Sequence, residues 1–340
     1  MELKELCLLR GISGDESEIR NYIKKECLKY TENVRIGRGG CLIAEIRGRK
    51  NPQKRVMLSA HMDEVGFAVT SACEDGLLRI TAVGGIDSRV SVSKRVLVGS
   101  RALPGVIGAM PIHLQSPEDR MRVMRLSDLF VDIGESTKAG AEKAAPINSS
   151  VTFDTPYTEF GAGFVCCKAL DDRVGCYNML RLMEKAPFDD TVIFVFTSME
   201  EVGLLGARTA AYDVDPDEAI VLETTAANDI GMVDETKQVC RAGKGVALSF
   251  MDRRTITPRA LFEHALSVAE KNGIALQVKS GTTGGNDAGA VHTSRRGIPT
   301  ITLSVPCRNI HSPASVCALS DIEAQYHEAE ALISNTDWRN

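Results

Sequence analysis

The residues of this chain that could do chemistry sit in short runs, each placed after an apolar stretch. The first is Ser59-Ala60-His61-Met62-Asp63-Glu64-Val65-Gly66, directly after Val56-Met57-Leu58. A neutral imidazole beside carboxylates is a donor set that a borderline divalent ion such as zinc accepts, and the turn after a strand is where α/β proteins put such groups. Alone, the octet identifies nothing, because a histidine two residues before an aspartate is a common pairing. Later apolar runs end in the same residue types: Phe164-Val165-Cys166-Cys167 leads to Asp171-Asp172, Thr191 to Thr197 leads to Glu200-Glu201, Ala219 to Leu222 runs into Glu223, and Ile298 to Val305 leads to His311. In an open α/β sheet the carboxyl ends of the strands share one crevice, so these residues are expected to converge although they are spread over most of the chain.

Two histidines with several carboxylates exceed what one tetrahedral ion needs and point to a pair of ions with a bridging carboxylate. Two ions about 3.5–4 Å apart polarise a carbonyl, activate water and hold both oxygens of a tetrahedral intermediate, which is hydrolytic chemistry. The adjacent pair Glu200-Glu201 suits a division of labour in which one carboxylate ligates and its neighbour takes a proton from the attacking water.

The elements that must position these groups can be read in order. Leu3, Leu6, Cys7 and Leu9 have helical spacing, and Ser13-x-x-Glu16 reads as a capping box that opens a second helix carrying Ile19, Tyr22, Ile23 and Leu28. Cys41 to Ile46 reads as a strand, Lys50-Asn51-Pro52 as a turn, and Val56 to Leu58 as the next strand. From Ala68 to Gly163 short strand-like runs alternate with glycine turns, and a serine-capped short helix over Ser136 to Ala145 is the exception. This texture predicts a small β-rich domain over 68–163, inserted into a first domain made of 1–67 and 164–340. Beyond Gly163 strands and helices alternate: helices are expected over Val174 to Met183, Pro258 to Lys271 and Asp321 to Ile333, and Thr191 to Thr197 reads as a strand buried on both faces.

Composition narrows the function. The 340 residues suggest two domains, and 44% hydrophobic with 25% charged residues is ordinary for a globular chain. Aromatics at 5% disfavour a stacking surface for bases or sugars, and the net charge of -5 argues against nucleic acid or an anionic membrane as partner. Ten cysteines without a repeated spacing or a CxxC read as reduced thiols, Cys166-Cys167 among them as small buried side chains. The N-terminus is charged from its second residue and no stretch approaches the roughly 20 apolar residues of a spanning helix, so the cytoplasm is the expected location.

Four ordered segments then carry a resemblance. His61-Met62-Asp63-Glu64-Val65-Gly66, Ala169-Leu170-Asp171-Asp172-Arg173-Val174-Gly175, Glu200-Glu201-Val202-Gly203-Leu204-Leu205-Gly206-Ala207 and Ile310-His311-Ser312-Pro313 resemble the glutamyl, or tetrahedral, aminopeptidase family of dinuclear metallopeptidases. Gly284-Gly285-Asn286-Asp287-Ala288-Gly289 is similar to that family's glycine-rich segment near the substrate. The resemblance implies an α/β fold with a mixed, zinc-exopeptidase-like sheet flanked by helices and an inserted barrel-like domain used for dimer contacts. It also implies two divalent ions, zinc or cobalt, and assembly into dimers or a tetrahedral dodecamer. Residue by residue, it implies that His61 and Glu223 complete one metal shell each, Asp171 bridges the ions, and Glu201 and His311 are the remaining ligands, with Glu201 and His61 on opposite metals. Glu200 would be the general base, and Asp63 would orient His61 through its second ring nitrogen or shape its field. The Asp171-Asp172 bond resembles one that is cis in such enzymes. Two departures stand out: glutamate at position 223 where many relatives carry aspartate, and Asn286 where threonine is common.

The remaining histidines, His113, His264, His292 and His327, read as surface or packing residues. Gly281-Thr282-Thr283-Gly284-Gly285 lacks the lysine-serine or lysine-threonine of a P-loop and reads as a loop bordering the substrate pocket. Arg253-Arg254 and Arg295-Arg296 read as solvated pairs, either of which could meet an acidic substrate side chain. The expected activity is removal of N-terminal residues from peptides. Its rivals are glycoside hydrolysis by paired carboxylates, which would leave the histidines idle, and a catalytically silent metal-binding scaffold, which would not need both Glu200 and Glu201.

Overall fold

In the computed structural model, which describes residues 1–338, each of the apolar runs above becomes a strand, and the chemistry-bearing residues lie shortly beyond the strand ends except His61, the last residue of its strand, and Glu223, which lies within its strand. Helices α1 (Leu3–Leu8) and α2 (Ser17–Cys27) open the chain, followed by β1 (Val34–Ile36), β2 (Leu42–Ile46) and β3 (Asn51–His61). Six strands come next: β4 (Gly66–Ala72), β5 (Leu78–Val83), β6 (Arg95–Val98), β7 (Leu103–Ala109), β8 (Leu129–Asp132) and β9 (Ser150–Phe153), with helices α3 (Pro117–Met121) and α4 (Lys138–Ala144) between them. The chain continues through β10 (Thr158–Phe160), β11 (Phe164–Cys167), α5 (Leu170–Met183), β12 (Asp190–Thr197), α6 (Leu205–Val214) and β13 (Glu218–Ala226). It closes with β14 (Val246–Ser249), α7 (Arg259–Asn272), β15 (Leu276–Val278), α8 (Ala288–Val291), β16 (Thr300–Arg308), β17 (Ser315–Ala318) and α9 (Leu319–Ile333).

Eleven strands form one mixed sheet in the order β1-β2-β12-β3-β13-β16-β17-β11-β10, with β14 paired to β16 and β15 to β14. Its centre, β12-β3-β13-β16, is parallel and its flanks are antiparallel. Every residue of β12 is buried, the signature of a parallel strand covered on both faces. One cover packs Ile19 and Ile23 of α2, Met179 and Leu182 of α5 and Leu332 of α9 on Phe194 and Leu222. The opposite cover packs Ala207 and Ala211 of α6 and Val291 of α8 on Met57, Ile193 and Val195. The six strands β4-β5-β8-β7-β6-β9 close into a barrel with its own core, in which the Phe67 and Phe153 rings meet edge to face at 5.6 Å. The fold is therefore the expected mixed sheet with flanking helices and an inserted barrel.

Local differences have physical causes. Pro52 lies inside β3 instead of a turn, at an irregularity where Asn51 pairs Asp190 and Arg55 pairs Thr191, so the missing amide of proline falls where the ladder is interrupted. β10, inside the stretch 68–163, pairs with β11 in the large sheet and not with the barrel. The cap of α4 is Thr137, which accepts from the Gly140 amide, and not Ser136. Ser13-x-x-Glu16 does not act as a capping box: α2 starts at Ser17, and Glu16 makes no side-chain cap bond to it.

Helix α9 buries a carboxyl group that has no hydrogen-bond partner, Glu328. Burial pushes its pKa from 4.5 up to about 8. Between those values the folded chain holds a proton that the unfolded chain has released, so stability falls as pH rises through this window and levels off above it. At about 1.4 kcal/mol per unit of pKa difference, the loss by pH 8 reaches a few kcal/mol. Glu328→Gln is expected to flatten the melting temperature between pH 5 and 8 and to raise it at pH 8. Parallel curves for the variant and the parent would show that the pKa of this carboxyl does not differ between the folded and unfolded chain.

Candidate metal centre

The register of the parallel strands brings the site together. His61, the last residue of β3, is paired with Thr197, the last of β12, and Ser59 is paired with Val221, so Glu223 stands level with His61 on the neighbouring strand. Glu223 lies inside β13, which continues to Ala226, and not beyond its end. Glu200 and Glu201 lie in the turn after β12, Asp171 at the start of α5, and His311 just after β16. The backbone turns sharply at these places: Ala169, Met199, Leu204, Asn309 and His311 take left-handed conformations with φ between 54° and 61°. Such strained positions persist where surrounding structure fixes them, and they gather at functional sites. The Asp171-Asp172 peptide is cis.

His61 is buried, and its Nδ1 lies 3.0 Å from the backbone carbonyl oxygen of Asp63. A carbonyl only accepts, so Nδ1 carries the proton and Nε2 is left as a donor atom for a metal, facing Asp171 Oδ1 at 3.3 Å and Glu223 Oε2 at 3.7 Å. Asp171 stands between the two histidines: its Oδ2 is 3.3 Å from His311 Nε2, and its Oδ1 also accepts the Thr224 hydroxyl at 2.7 Å. His311 Nε2 is in turn 3.3 Å from Glu201 Oε2. His61 and Glu223 thus lie together on the Oδ1 side of Asp171. The resemblance implied one shell each, and the register makes the two neighbours on adjacent strands. Donor atoms of His61, Asp171 and Glu201 lie within 4.8 Å of one another, as do those of His61, Asp172 and Glu223.

Asp172 was not among the expected ligands. Its Oδ1 accepts from the Gly175 amide at 3.0 Å, while Oδ2 is buried without a partner. Glycine is required at 175, since a Cβ there would stand 2.8 Å from Asp172 Oδ1 and 2.9 Å from the Ala60 Cβ. Asp63 was expected to orient His61, but its carboxylate sits 3.7 Å from the imidazole and accepts instead from the amides of Glu200 at 3.1 Å and Glu201 at 3.2 Å. It is the Asp63 main chain that fixes the His61 ring. Glu64, for which the sequence suggested no role, is buried against Lys168 Nζ at 2.8 Å and accepts the Gly11 amide at 3.1 Å. The glycine that ends the octet, Gly66, lies under the same N-terminal segment, where a Cβ would collide with the Ile12 side chain and approach the Val151 carbonyl to 2.8 Å. Asp287 of the glycine-rich segment is buried and accepts the Thr197 hydroxyl, which anchors that loop beside the end of β12.

His264 hydrogen-bonds the Asn335 carbonyl, His292 the Ala288 carbonyl, and His327 lies near Glu330. His113 sits in a short turn of the inserted segment. None of the four enters the site.

The electrostatics are those of crowded acids. Burial, reinforced by the charges of Asp287, Glu201 and Asp63 and opposed by His61, pushes the Glu200 carboxyl well up. Burial and the Asp171 charge raise Glu201 to about 7, and burial raises Glu223. Burial alone would lower His311, but its bond to Asp171 and the charge of Glu201 raise it to about 9. Burial would raise Asp171, and the imidazoles of His311 and His61 beside it override that and hold it low. The residues fit a metal centre: the donors are imidazoles and carboxylates, the set that borderline divalent cations take, and Glu223 Oε1 is buried without a hydrogen-bond partner.

The chain is similar to several known proteins. The family model for M42 glutamyl aminopeptidases matches residues 40–327. A lysyl aminopeptidase of Pyrococcus furiosus is 29% identical over 340 residues, covering 97% of this chain and 95% of that protein. The crystal structure of a TET aminopeptidase from a marine sediment Thaumarchaeota archaeon superposes with a TM-score of 0.94 at 31% identity, covering 98% of this chain and 95% of that one. The TET1 peptidase of Pyrococcus horikoshii, described as assembling into a tetrahedron or a large octahedral shell, gives a TM-score of 0.87 at 33% identity with 98% of each chain covered.

Proposed function

The chain belongs to the M42 glutamyl aminopeptidase family, and from that premise we propose that it is a dinuclear metallo-aminopeptidase with Glu200 as its general base. The observation that carries the reading is Asp171, whose two carboxylate oxygens each face a different histidine at 3.3 Å. In this reading His61, Asp171 and Glu223 hold one ion, and Asp171, Glu201 and His311 hold the other, with Asp171 shared. Two divalent ions bound there, zinc or cobalt, would polarise the scissile carbonyl and make water a competent nucleophile near neutral pH.

The chain's own groups do the rest. Glu200 lies next to Glu201 on a turn whose two amides are held by Asp63, and it belongs to neither group of donor atoms that could hold a metal, which leaves its carboxylate free for proton transfer in this reading. As the water oxygen bonds to the carbonyl carbon, Glu200 accepts the proton, and it returns that proton to the departing amine when the C–N bond breaks. A glycosidase would work with the carboxyl groups alone and would leave His61 and His311 without a task. The inserted barrel exposes Met110, Ile112, Leu114, Met121 and Val123 on one segment, which supports its use in contacts between copies of this chain, as dimers and in a tetrahedral dodecamer.

The names of the family and of the Pyrococcus furiosus relative point to oppositely charged N-terminal residues, so side-chain preference has to be measured. A panel of aminoacyl chromogenic substrates, assayed after chelation and again with added zinc, cobalt or manganese, tests the proposal directly. Activity is expected to disappear with chelator and return with at least one ion. Polysaccharide hydrolysis that survives chelation, with no aminoacyl substrate cleaved, would overturn it.

A further inference from the structure

The polar atoms of Ser13 and Glu16, which in sequence resemble a helix cap, are directed to the turn that carries Glu200 and Glu201. Ser13 Oγ donates to Asp63 Oδ2 at 2.6 Å. Glu16 Oε1 accepts from the Met199 amide at 3.2 Å and from the Gly14 amide at 2.8 Å, and its Oε2 lies 3.6 Å from Arg20. Asp63 accepts from the next two amides, those of Glu200 and Glu201. Three successive backbone N–H groups, 199 to 201, are therefore gripped by two carboxylates, of which Glu16 is 3% and Asp63 0% exposed. The grip begins at Met199, whose φ of 55° is a conformation that a non-glycine residue holds only when its surroundings fix it. Successive amides pointing into one concavity form an anion-binding nest, and here the anions are the protein's own side chains.

We propose that Ser13 and Glu16 are positioning residues for the reaction. Acting with Asp63, they set the direction in which the turn after β12 presents the Glu200 and Glu201 carboxylates to the centre. The N-terminal segment is thereby part of the active-site frame. The inference rests on the reading of Glu200 as general base. A purely structural role, docking the N-terminal helices on the domain, would instead lower thermal stability and leave turnover per folded molecule unchanged.

Glu16→Ala, Glu16→Gln and Ser13→Ala, made in the full chain, separate these roles. Misplacing a catalytic group by about 1 Å costs up to about 10²-fold, so Glu16→Ala is expected to lower kcat at least about tenfold with KM and metal content unchanged. Glutamine keeps an acceptor oxygen for the Met199 and Gly14 amides and is expected to restore most of kcat. Ser13→Ala, which leaves both buried acids in place, is expected to lower kcat in the same direction by less. It keeps the question answerable if Glu16→Ala does not fold. Hydrogen–deuterium exchange of the peptide spanning 198–203 gives a readout without metal or activity: protection at amides 199 to 201 should be lost in Glu16→Ala and regained in Glu16→Gln. Wild-type kcat and unchanged exchange in Glu16→Ala and Ser13→Ala would overturn the proposal, as would a kcat loss that follows melting temperature or metal content. If the parent protein cleaves no aminoacyl substrate, the hydrolase reading fails on its own, and the exchange measurement still decides whether Glu16 holds the turn.

Discussion

Glu200→Gln is expected to keep its metal and lose at least about 10²-fold in turnover, the effect of removing a general base. Glutamine has nearly the shape of glutamate, and the position of residue 200 is set by its backbone amide on Asp63, which the substitution leaves intact. The two donor groups that converge around His61 do not include Glu200, so the variant should bind ions as the parent does. What it cannot do is accept a proton. The surroundings favour a strong base at this position, because burial and the neighbouring charges of Asp287, Glu201 and Asp63 raise the affinity of the carboxylate for a proton. Metal content by elemental analysis and kcat at saturating substrate, measured on the same preparation, check the expectation. An active variant would remove Glu200 from the reaction, and joint loss of metal and activity would make it a ligand.

The strands were legible because covered parallel strands are written as unbroken apolar runs, so the residue after each run is marked by the change in polarity even where, as at Glu223, the strand itself continues. Val56 to Leu58, Thr191 to Thr197 and Ala219 to Leu222 all mark β-strands in this way, and the register of those strands makes neighbours of His61 and Glu223. What could not be read is how polar side chains choose partners across the fold. Ser13-x-x-Glu16 has the local spacing of a capping box, and only the docking of the N-terminal segment against residues 63 and 199 shows that both side chains point elsewhere. Asp63 sits two residues from His61, which suggests a bond to the ring, yet the tight turn after β3 presents its carbonyl to the ring and its carboxylate to the amides of 200 and 201. The Glu64–Lys168 pair joins residues 104 positions apart and has no signature in sequence. The barrel was visible as a texture of short strands and glycine turns, but β10 joins the large sheet through a hairpin with β11, in which Phe160 faces Phe164 across Gly161 and Gly163, and a boundary drawn at Gly163 cuts through that hairpin.

Asp171→Ala is expected to lose metal, and activity with it. Asp171 alone lies between the two halves of the centre, with Oδ1 toward His61 and Oδ2 toward His311. Its removal leaves His311 with Glu201 alone, short of the three protein donors usual for a catalytic zinc ion, and leaves His61 and Glu223 with Asp172 as the third donor grouped with them. Loss of an outer partner alone weakens metal affinity by about 10–100-fold, so loss of a ligand shared by two ions should exceed that range. Thr224→Val supplies the graded control: it removes only the hydroxyl that donates to Asp171 Oδ1 at 2.7 Å, and should weaken metal binding within the range of an outer partner while leaving two ions bound at high metal concentration. Titration of the chelated protein with zinc, followed by calorimetry and elemental analysis, distinguishes the cases. Two ions bound to Asp171→Ala with parental affinity would remove the bridge. A single ion retained would show that one half of the centre is complete without it, and comparison with Glu223→Ala and Glu201→Ala would then identify which half.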